Sequence, residues 1–189
     1  MLKTQQFIEP HKAIIEKAKK GNQHAMHHLY ALYAKAMLNT AFRILNNKED
    51  AEDVLQDSFI KAFSRLSQFD SQSTFGAWIK RIVINRSIDA LKKKNKRAFL
   101  AEADVFIEEK VFVFGAEQNG LQTQLDLLYK ALHQLPDGYR TVFSLYMLEG
   151  YDHNEISQIL DIGVSTSISQ LSRAKKKLKL LILNQAHHG

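Results

Sequence analysis

Apolar residues recur every three or four positions along almost the whole of this chain, a spacing that points to helices. From Gln23 to Leu45, Met26, Leu29, Tyr30, Tyr33, Met37, Ala41, Ile44 and Leu45 line up, and a 3.6-residue period gathers them into one broad buried stripe. Strand-like alternation is almost absent. Two prolines and eight glycines interrupt 189 residues, too few punctuators for a fold of many short strands. The expected fold class is all-α, and the length suits one medium domain or two small ones.

The same spacing divides the chain. A first helix is expected over Ile8–Lys20, ended by Gly21-Asn22, and a second over Gln23–Leu45, stopped by Asn46-Asn47. A third runs from Lys48 to about Leu66, with Ala51, Val54, Leu55, Phe59, Ala62, Phe63 and Leu66 as its apolar stripe. A polar loop, Ser67–Ser73, carries Phe69, and Ser73 or Thr74 caps a fourth helix over Phe75–Lys96. From about Ala98 to Thr123 the acidic residues Glu102, Asp104, Glu108, Glu109 and Glu117 outweigh Lys110, and Gly115 and Asn119-Gly120 break any helix. That stretch reads as a linker, partly helical at most. Helices resume over Leu121–Leu135 and again from Pro136 to Gly150. Asp152 with Glu155 has the form of a capping box for a short helix to Leu160. After the turn Asp161-Ile162-Gly163, a last helix covers about Ser165–Asn184.

Charge is not spread evenly over these elements. The third helix begins Glu49-Asp50-Ala51-Glu52-Asp53-Val54-Leu55-Gln56-Asp57. Acidic residues complement the dipole of a first turn, but Gln56 and Asp57 lie beyond it. The fourth helix ends with Lys92, Lys93, Lys94, Lys96 and Arg97, a denser run than a helix end requires. Between the two lie Phe59, Phe63, Phe69, Phe75 and Trp78, the only tryptophan. An anionic face cannot grip a phosphate backbone and a cationic one can. The segment is therefore built for two different partners, and the net charge of +6 favours a polyanion as one of them.

The short helix before Asp161 and the longer one after Gly163 form a helix-turn-helix pattern, with Ile156, Leu160, Ile162 and Leu171 locking the pair. The N-terminal part of such a second helix enters the major groove, and here it offers Ser165, Thr166, Ser169, Gln170 and Arg173. Glutamine and arginine can pair with base edges. An ordinary helical hairpin with a solvated basic end shows the same pattern.

With no cysteine in the chain, disulfides, thiolate zinc sites and a cysteine nucleophile are excluded. His24, His27 and His28 sit at ligand spacing, but no further ligand pattern supports them, so no metal or other cofactor is expected. No paired catalytic carboxylates, nucleophile elbow or phosphate loop occur, and an enzyme is not expected. No apolar run reaches a membrane-spanning length. The start, Met1-Leu2-Lys3-Thr4-Gln5-Gln6, lacks an apolar signal core, so a cytoplasmic location is expected.

Taken together, the sequence resembles the extracytoplasmic-function (ECF) class of bacterial sigma factors. The matching residues are Gly21, Leu29-Tyr30, Tyr33, Arg43-Ile44-Leu45 and Glu49 through Phe59, then Phe75, Trp78-Ile79, Arg81-Ile82, Asn85 and Asp89. They continue with Leu135-Pro136, Tyr139-Arg140, Glu149-Gly150-Tyr151, Glu155-Ile156 and Ser172-Arg173-Ala174. The resemblance implies a region 2-like domain at 1–97, a linker at 98–122 entering the polymerase, and a region 4-like helix-turn-helix domain at 123–189. It implies RNA polymerase core and promoter DNA as partners, with an anti-sigma factor as a possible third. Asp50, Glu52, Asp53, Gln56 and Asp57 would dock on the polymerase clamp. Phe69, Trp78, Asn85, Arg86, Asp89, Lys92 and Lys93 would recognise and open the minus-ten element. Ser165, Thr166, Ser169, Gln170 and Arg173 would meet the minus-thirty-five element. The chain departs from the family at Asp161-Ile162-Gly163-Val164-Ser165-Thr166, where Gly-hydrophobic-Ser-Glu-Gly-Thr is usual, and at Ile168, where a lysine or arginine is usual. Val164, Ile168 and Leu171 would there form an apolar strip. A free-standing helix-turn-helix regulator is the alternative reading; it leaves the acidic helix and the aromatic stretch without a role.

Overall fold

The computed structural model describes residues 9–100 and 120–187, with side chains described over 9–94 and 127–184. The chain divides into two compact units, Met1–Asn95 and Lys96–Gly189. All regular structure among the described residues is helical.

The first unit contains α1 (Lys12–Lys19), α2 (Gln23–Leu45), α3 (Lys48–Ser64), a 3-10 turn at Leu66–Gln68, and α4 (Phe75–Leu100). α2 is the central post, packed on α1 and on α3. Its expected stripe is buried at Leu29, Met37, Ala41, Ile44 and Leu45, with Met26, Tyr30 and Tyr33 half-buried at its edge. The asparagines punctuate as expected and do more besides. Asn22 caps α2 by accepting from the Ala25 N–H, Asn46 takes the left-handed conformation that ends it, and Asn47 caps α3 by accepting from the Asp50 N–H. α1 starts at Lys12 rather than Ile8, because Pro10 and His11 form a turn; Ile8 lies outside the described residues. α3 ends at Ser64, and Leu66 is buried in the following 3-10 turn. α4 extends past Lys96 to Leu100 and buries Phe75, Ile79, Val83, Ile84, Ile88 and Leu91.

The second unit comprises α5 (Gly120–His133), α6 (Asp137–Phe143), a π-helical turn at Ser144–Leu148, α7 (His153–Leu160) and α8 (Val164–His187). α8 packs against α5, α6 and α7. Its buried edge is Ser167, Leu171, Ala174 and Leu178, residues three or four apart as one helix face requires. The helix expected from Pro136 to Gly150 instead widens into the π turn after Phe143. Tyr146, Met147 and Leu148, which lie in that turn, are exposed. The capping box is present: Asp152 Oδ1 accepts from the Glu155 N–H at 2.8 Å, and Glu155 Oε2 accepts from the Asp152 N–H at 2.9 Å. In the turn after α7 the left-handed residue is Asp161, φ 58°, not Gly163.

Arg140 is 1% exposed, the largest fully buried side chain among the described residues. Its Nη1 donates to the Leu135 carbonyl at 2.9 Å and its Nη2 to Asp137 Oδ1 at 2.6 Å. One guanidinium thus fastens the chain after α5 to the start of α6. Of the expected linker, residues 101–119, with Glu102, Asp104, Phe106, Glu108, Glu109, Lys110, Phe112, Phe114, Gly115 and Glu117, lie outside the described residues.

Candidate polymerase and nucleic-acid interfaces

The acidic helix α3 turns its apolar residues inward, burying Ala51, Val54, Leu55, Ser58, Phe59 and Ala62. Its charges divide into two groups. Asp50 pairs with Lys94 at 3.0 Å and Asp57 with Arg86 at 3.4 Å, so these carboxylates reach across to α4. Glu52 pairs with Lys48 along its own helix at 3.6 Å. Glu49, Asp53 and Gln56 are exposed, and the helical period sets them between the cross-helix pairs and the Lys48–Glu52 pair. Both cross-helix pairs are solvent-accessible, a class of ion pair worth about 0–1 kcal/mol. They orient the two helices without committing the charges permanently.

Along α4, Trp78, Asn85, Asp89, Lys92 and Lys93 fall on one stripe, because steps of 3, 4 and 7 residues nearly return to the same azimuth. Asn85, Asp89, Lys92 and Lys93 are exposed, and Trp78 is half-buried at the base of the stripe. Lys92 and Lys93 form no ion pair among the described residues, unlike Lys94. Arg86 is half-buried on the flank, held by Asp57.

Phe69 does not share that surface. It is 2% exposed, wedged edge-on to Phe75 at 5.9 Å and tilted against Trp78 at 5.4 Å between ring centroids. Phe69 is thus a core residue that anchors the loop 70–74. Its burial follows from rings and a lysine contributed by other elements, which the polar sequence around it does not reveal. Phe75 in turn packs on Tyr33 of α2 at 5.3 Å. The Tyr33 ring also covers Gly76, where a Cβ would lie 2.8 Å from a ring carbon. Burial pushes the Tyr33 phenol above its ordinary pKa, and the Glu9 carboxylate adds to the rise. The sequence reading missed Glu9 altogether; it accepts from the Phe75 N–H at 2.6 Å.

In the second unit Ser165, Thr166 and Arg173 are exposed on α8 and Ser169 is half-buried. Ser169 Oγ donates back to the Thr166 carbonyl at 3.0 Å. Gln170 is half-buried against the start of α6, where a Cβ on Gly138 would lie 3.3 Å from its Oε1. Of the expected apolar strip, Val164 and Ile168 are exposed at 38% and 51%, whereas Leu171 belongs to the core. His153 stacks on Tyr146, 4.6 Å between centroids, and its Nδ1 shares a 2.8 Å hydrogen bond with the buried Ser167 hydroxyl. Lys175, Lys176, Lys177 and Lys179 are all exposed further along α8.

Residues 29–97 match the model of Sigma-70 region 2, and residues 125–178 match that of Sigma-70, region 4. The chain is 30% identical over 174 residues to the ECF RNA polymerase sigma factor SigW of Bacillus subtilis, covering 87% of this chain and 92% of that protein. This chain belongs to the ECF sigma factors. It is also similar to the ECF RNA polymerase sigma-E factor of Escherichia coli K12, at 28% identity over 173 residues, 87% of this chain and 90% of that one. Among solved structures, the sigma factor RpoE in complex with the anti-sigma factor NepR from Bartonella quintana aligns with a TM-score of 0.60 at 26% identity. That alignment covers 82% of this chain and 95% of that one. CnrH in complex with the cytosolic domain of CnrY aligns at 0.51 and 26% identity, covering 90% and 96%. In this ECF sigma factor, the α3 and α4 stripes lie within the region 2 match, and α7 with α8 as far as Leu178 lies within the region 4 match. Among the described residues no helix is long and apolar enough to cross a membrane, and no group of three His, Asp or Glu side chains could hold a metal ion.

Proposed function

We propose that this ECF sigma factor brings core RNA polymerase to particular promoters and begins their opening, and is not itself an enzyme. One observation carries the reading: two neighbouring helices of one unit present opposite characters outward. Glu49, Asp53 and Gln56 face out from α3, and Asn85, Asp89, Lys92 and Lys93 face out from α4. The α3 face docks on the polymerase, with Asp50, Glu52 and Asp57 at its edges. The α4 face meets the minus-ten DNA: the lysines neutralise phosphates, Asn85 and Asp89 meet bases, and the exposed part of Trp78 offers a stacking platform. Arg86 joins them by exchanging its weak pair with Asp57 for a phosphate.

The energetics suit a protein that uses no nucleotide fuel. Taking one base out of the stack costs a few kcal/mol, and stacking on an aromatic ring returns about 1–3 kcal/mol per base. Ser165, Thr166, Ser169 and Arg173 of α8 approach the minus-thirty-five duplex. Short hydroxyl side chains with one arginine make this a sparse reader. Functionally, 1–97 is the polymerase-docking and opening domain, 98–122 the connection and 123–189 the duplex-binding domain, working in the cytoplasm. An anti-sigma factor is a further partner proposed here, since one similar solved structure is a sigma factor in complex with an anti-sigma factor. A free-standing regulator gives residues 29–97 no task.

The test is promoter binding measured with core polymerase alone, with this chain alone, and with both. Tight, sequence-selective binding is expected only for the combination. Equally tight selective binding by the isolated chain would overturn the proposal in favour of the free-standing regulator.

A further inference from the structure

Two side chains of the α1 segment hold the two ends of the loop that leads into α4. At its start, Lys19 Nζ donates to the Phe69 carbonyl at 2.9 Å and lies over the Phe69 ring, 5.6 Å from its centroid. At its end, Glu9 Oε2 accepts from the Phe75 N–H at 2.6 Å, while Glu9 Oε1 accepts from the His11 N–H at 3.0 Å. The partners are 50 and 66 residues apart in sequence. Between the anchors, Asp70, Ser71 and Gln72 are exposed, and Ser71 takes a left-handed backbone conformation, φ 61°, which an L side chain adopts at a cost. The region 2 match begins at residue 29, so both anchors precede the matched segment.

We propose that Glu9 and Lys19 are positioning residues for promoter opening: together they clamp loop 70–74 and the first turn of α4, and thereby set the Trp78 ring. The inference rests on the promoter-opening reading above. A helix N-terminus has N–H groups with no partner in the helix, and a carboxylate there satisfies one and complements the dipole. Thr74 already supplies the local cap, its Oγ1 accepting from the Ala77 N–H at 3.2 Å. Glu9 adds something a local cap cannot, because it ties the end of α4 to a different element. Trp78 lies one turn from Phe75, and its ring packs on both clamped neighbours, 5.4 Å from Phe69 and 5.8 Å from Phe75. A loop left unclamped must be ordered each time a strand is captured, and that ordering is lost from binding energy. Once a strand is already separated, the same ordering weighs less on the outcome.

The test uses Glu9→Ala with Lys19→Met, each alone and combined, in the full chain. Trp78 is the only tryptophan, so emission of the isolated protein reports its surroundings directly. The combined variant is expected to shift that emission to longer wavelength with helical circular dichroism unchanged. Reconstituted with core polymerase, it should open a duplex promoter about tenfold or more slowly, the scale of one lost charge-assisted hydrogen bond. On a template whose minus-ten segment is pre-opened by mismatches it should initiate near the wild-type rate. Glu9→Gln, which retains an acceptor oxygen, should restore most of the opening rate. Equal slowing on both templates, or unchanged opening on the duplex, would overturn the clamp while leaving the promoter-opening reading in place. A wild-type chain that adds no initiation on either template would overturn that reading and the clamp together.

Discussion

Removing the charge of Lys92 and Lys93 together should change the salt dependence of promoter binding by a predictable amount. Both ammonium groups are exposed and form no ion pair among the described residues, while the adjacent Lys94 is engaged by Asp50 at 3.0 Å. Each phosphate neutralised contributes about 0.9 to the slope of log affinity against log salt on duplex DNA and about 0.7 on a single strand. Two contacts therefore contribute about 1.4–1.8. Referred to molar salt, Lys92→Ala with Lys93→Ala should weaken holoenzyme binding about 25- to 60-fold at ~0.1 M salt and only about 5- to 9-fold at ~0.3 M. The assay is fluorescence anisotropy of labelled promoter DNA with reconstituted holoenzyme over a salt series. Lys94→Ala serves as the comparison, and its slope should change by clearly less than one phosphate's worth because Asp50 already offsets its charge. A double variant with a wild-type slope would remove both lysines from the interface. A Lys94→Ala variant with the larger effect would show that the pair with Asp50 does not persist on DNA.

Three further outcomes are expected. Asp53→Lys combined with Gln56→Ala should weaken association with core polymerase while leaving thermal unfolding unchanged, since both side chains are exposed on α3; unaltered affinity in a pull-down titration would contradict the docking role. Arg140→Ala should destabilise the second unit by about 1.5–3 kcal/mol, the scale of the buried charged hydrogen bond to the Leu135 carbonyl, since the Asp137 carboxylate left behind is 43% exposed; a melting temperature close to wild type would show that the guanidinium is dispensable. Tyr33 has a folded pKa raised above 10.0, so its neutral phenol contributes stability that is complete below that pH and is lost as pH rises through the folded value. Tyr33→Phe should therefore lose less stability than wild type between neutral and strongly alkaline pH, measured by urea unfolding; parallel losses would refute the assignment.

What the sequence reveals and what it conceals separate along a physical line. Features set by neighbours in the chain were legible. The bounds of α2 follow from a 3.6-residue stripe and two asparagines, and the Asp152–Glu155 capping box is written in four consecutive residues. Features set by distant partners were not. Phe69 sits among polar residues and reads as a loop tip, yet Lys19, Phe75 and Trp78 enclose it. Glu9 caps a helix 66 residues away, and no local pattern announces that. Asp50 and Asp57 look like the other acids of α3 until α4 is laid beside them. Gln170 has the chemistry of a base reader, and only the close approach of Gly138 shows where its amide rests. The π turn at Ser144–Leu148 preserves helical spacing in sequence, yet Tyr146, Met147 and Leu148 are exposed. The family resemblance supplied roles for side chains; it did not supply their burial.

The central claim, that opposite charges on α3 and α4 let one small unit hold polymerase and an opening duplex at once, is tested most directly by mapping RNA 5′ ends. Core polymerase would transcribe a promoter library with and without this chain. The account predicts a new set of starts sharing a common upstream sequence, lost with Asp53→Lys plus Gln56→Ala and weakened with Lys92→Ala plus Lys93→Ala. An identical set of starts in the presence and absence of the chain would contradict it.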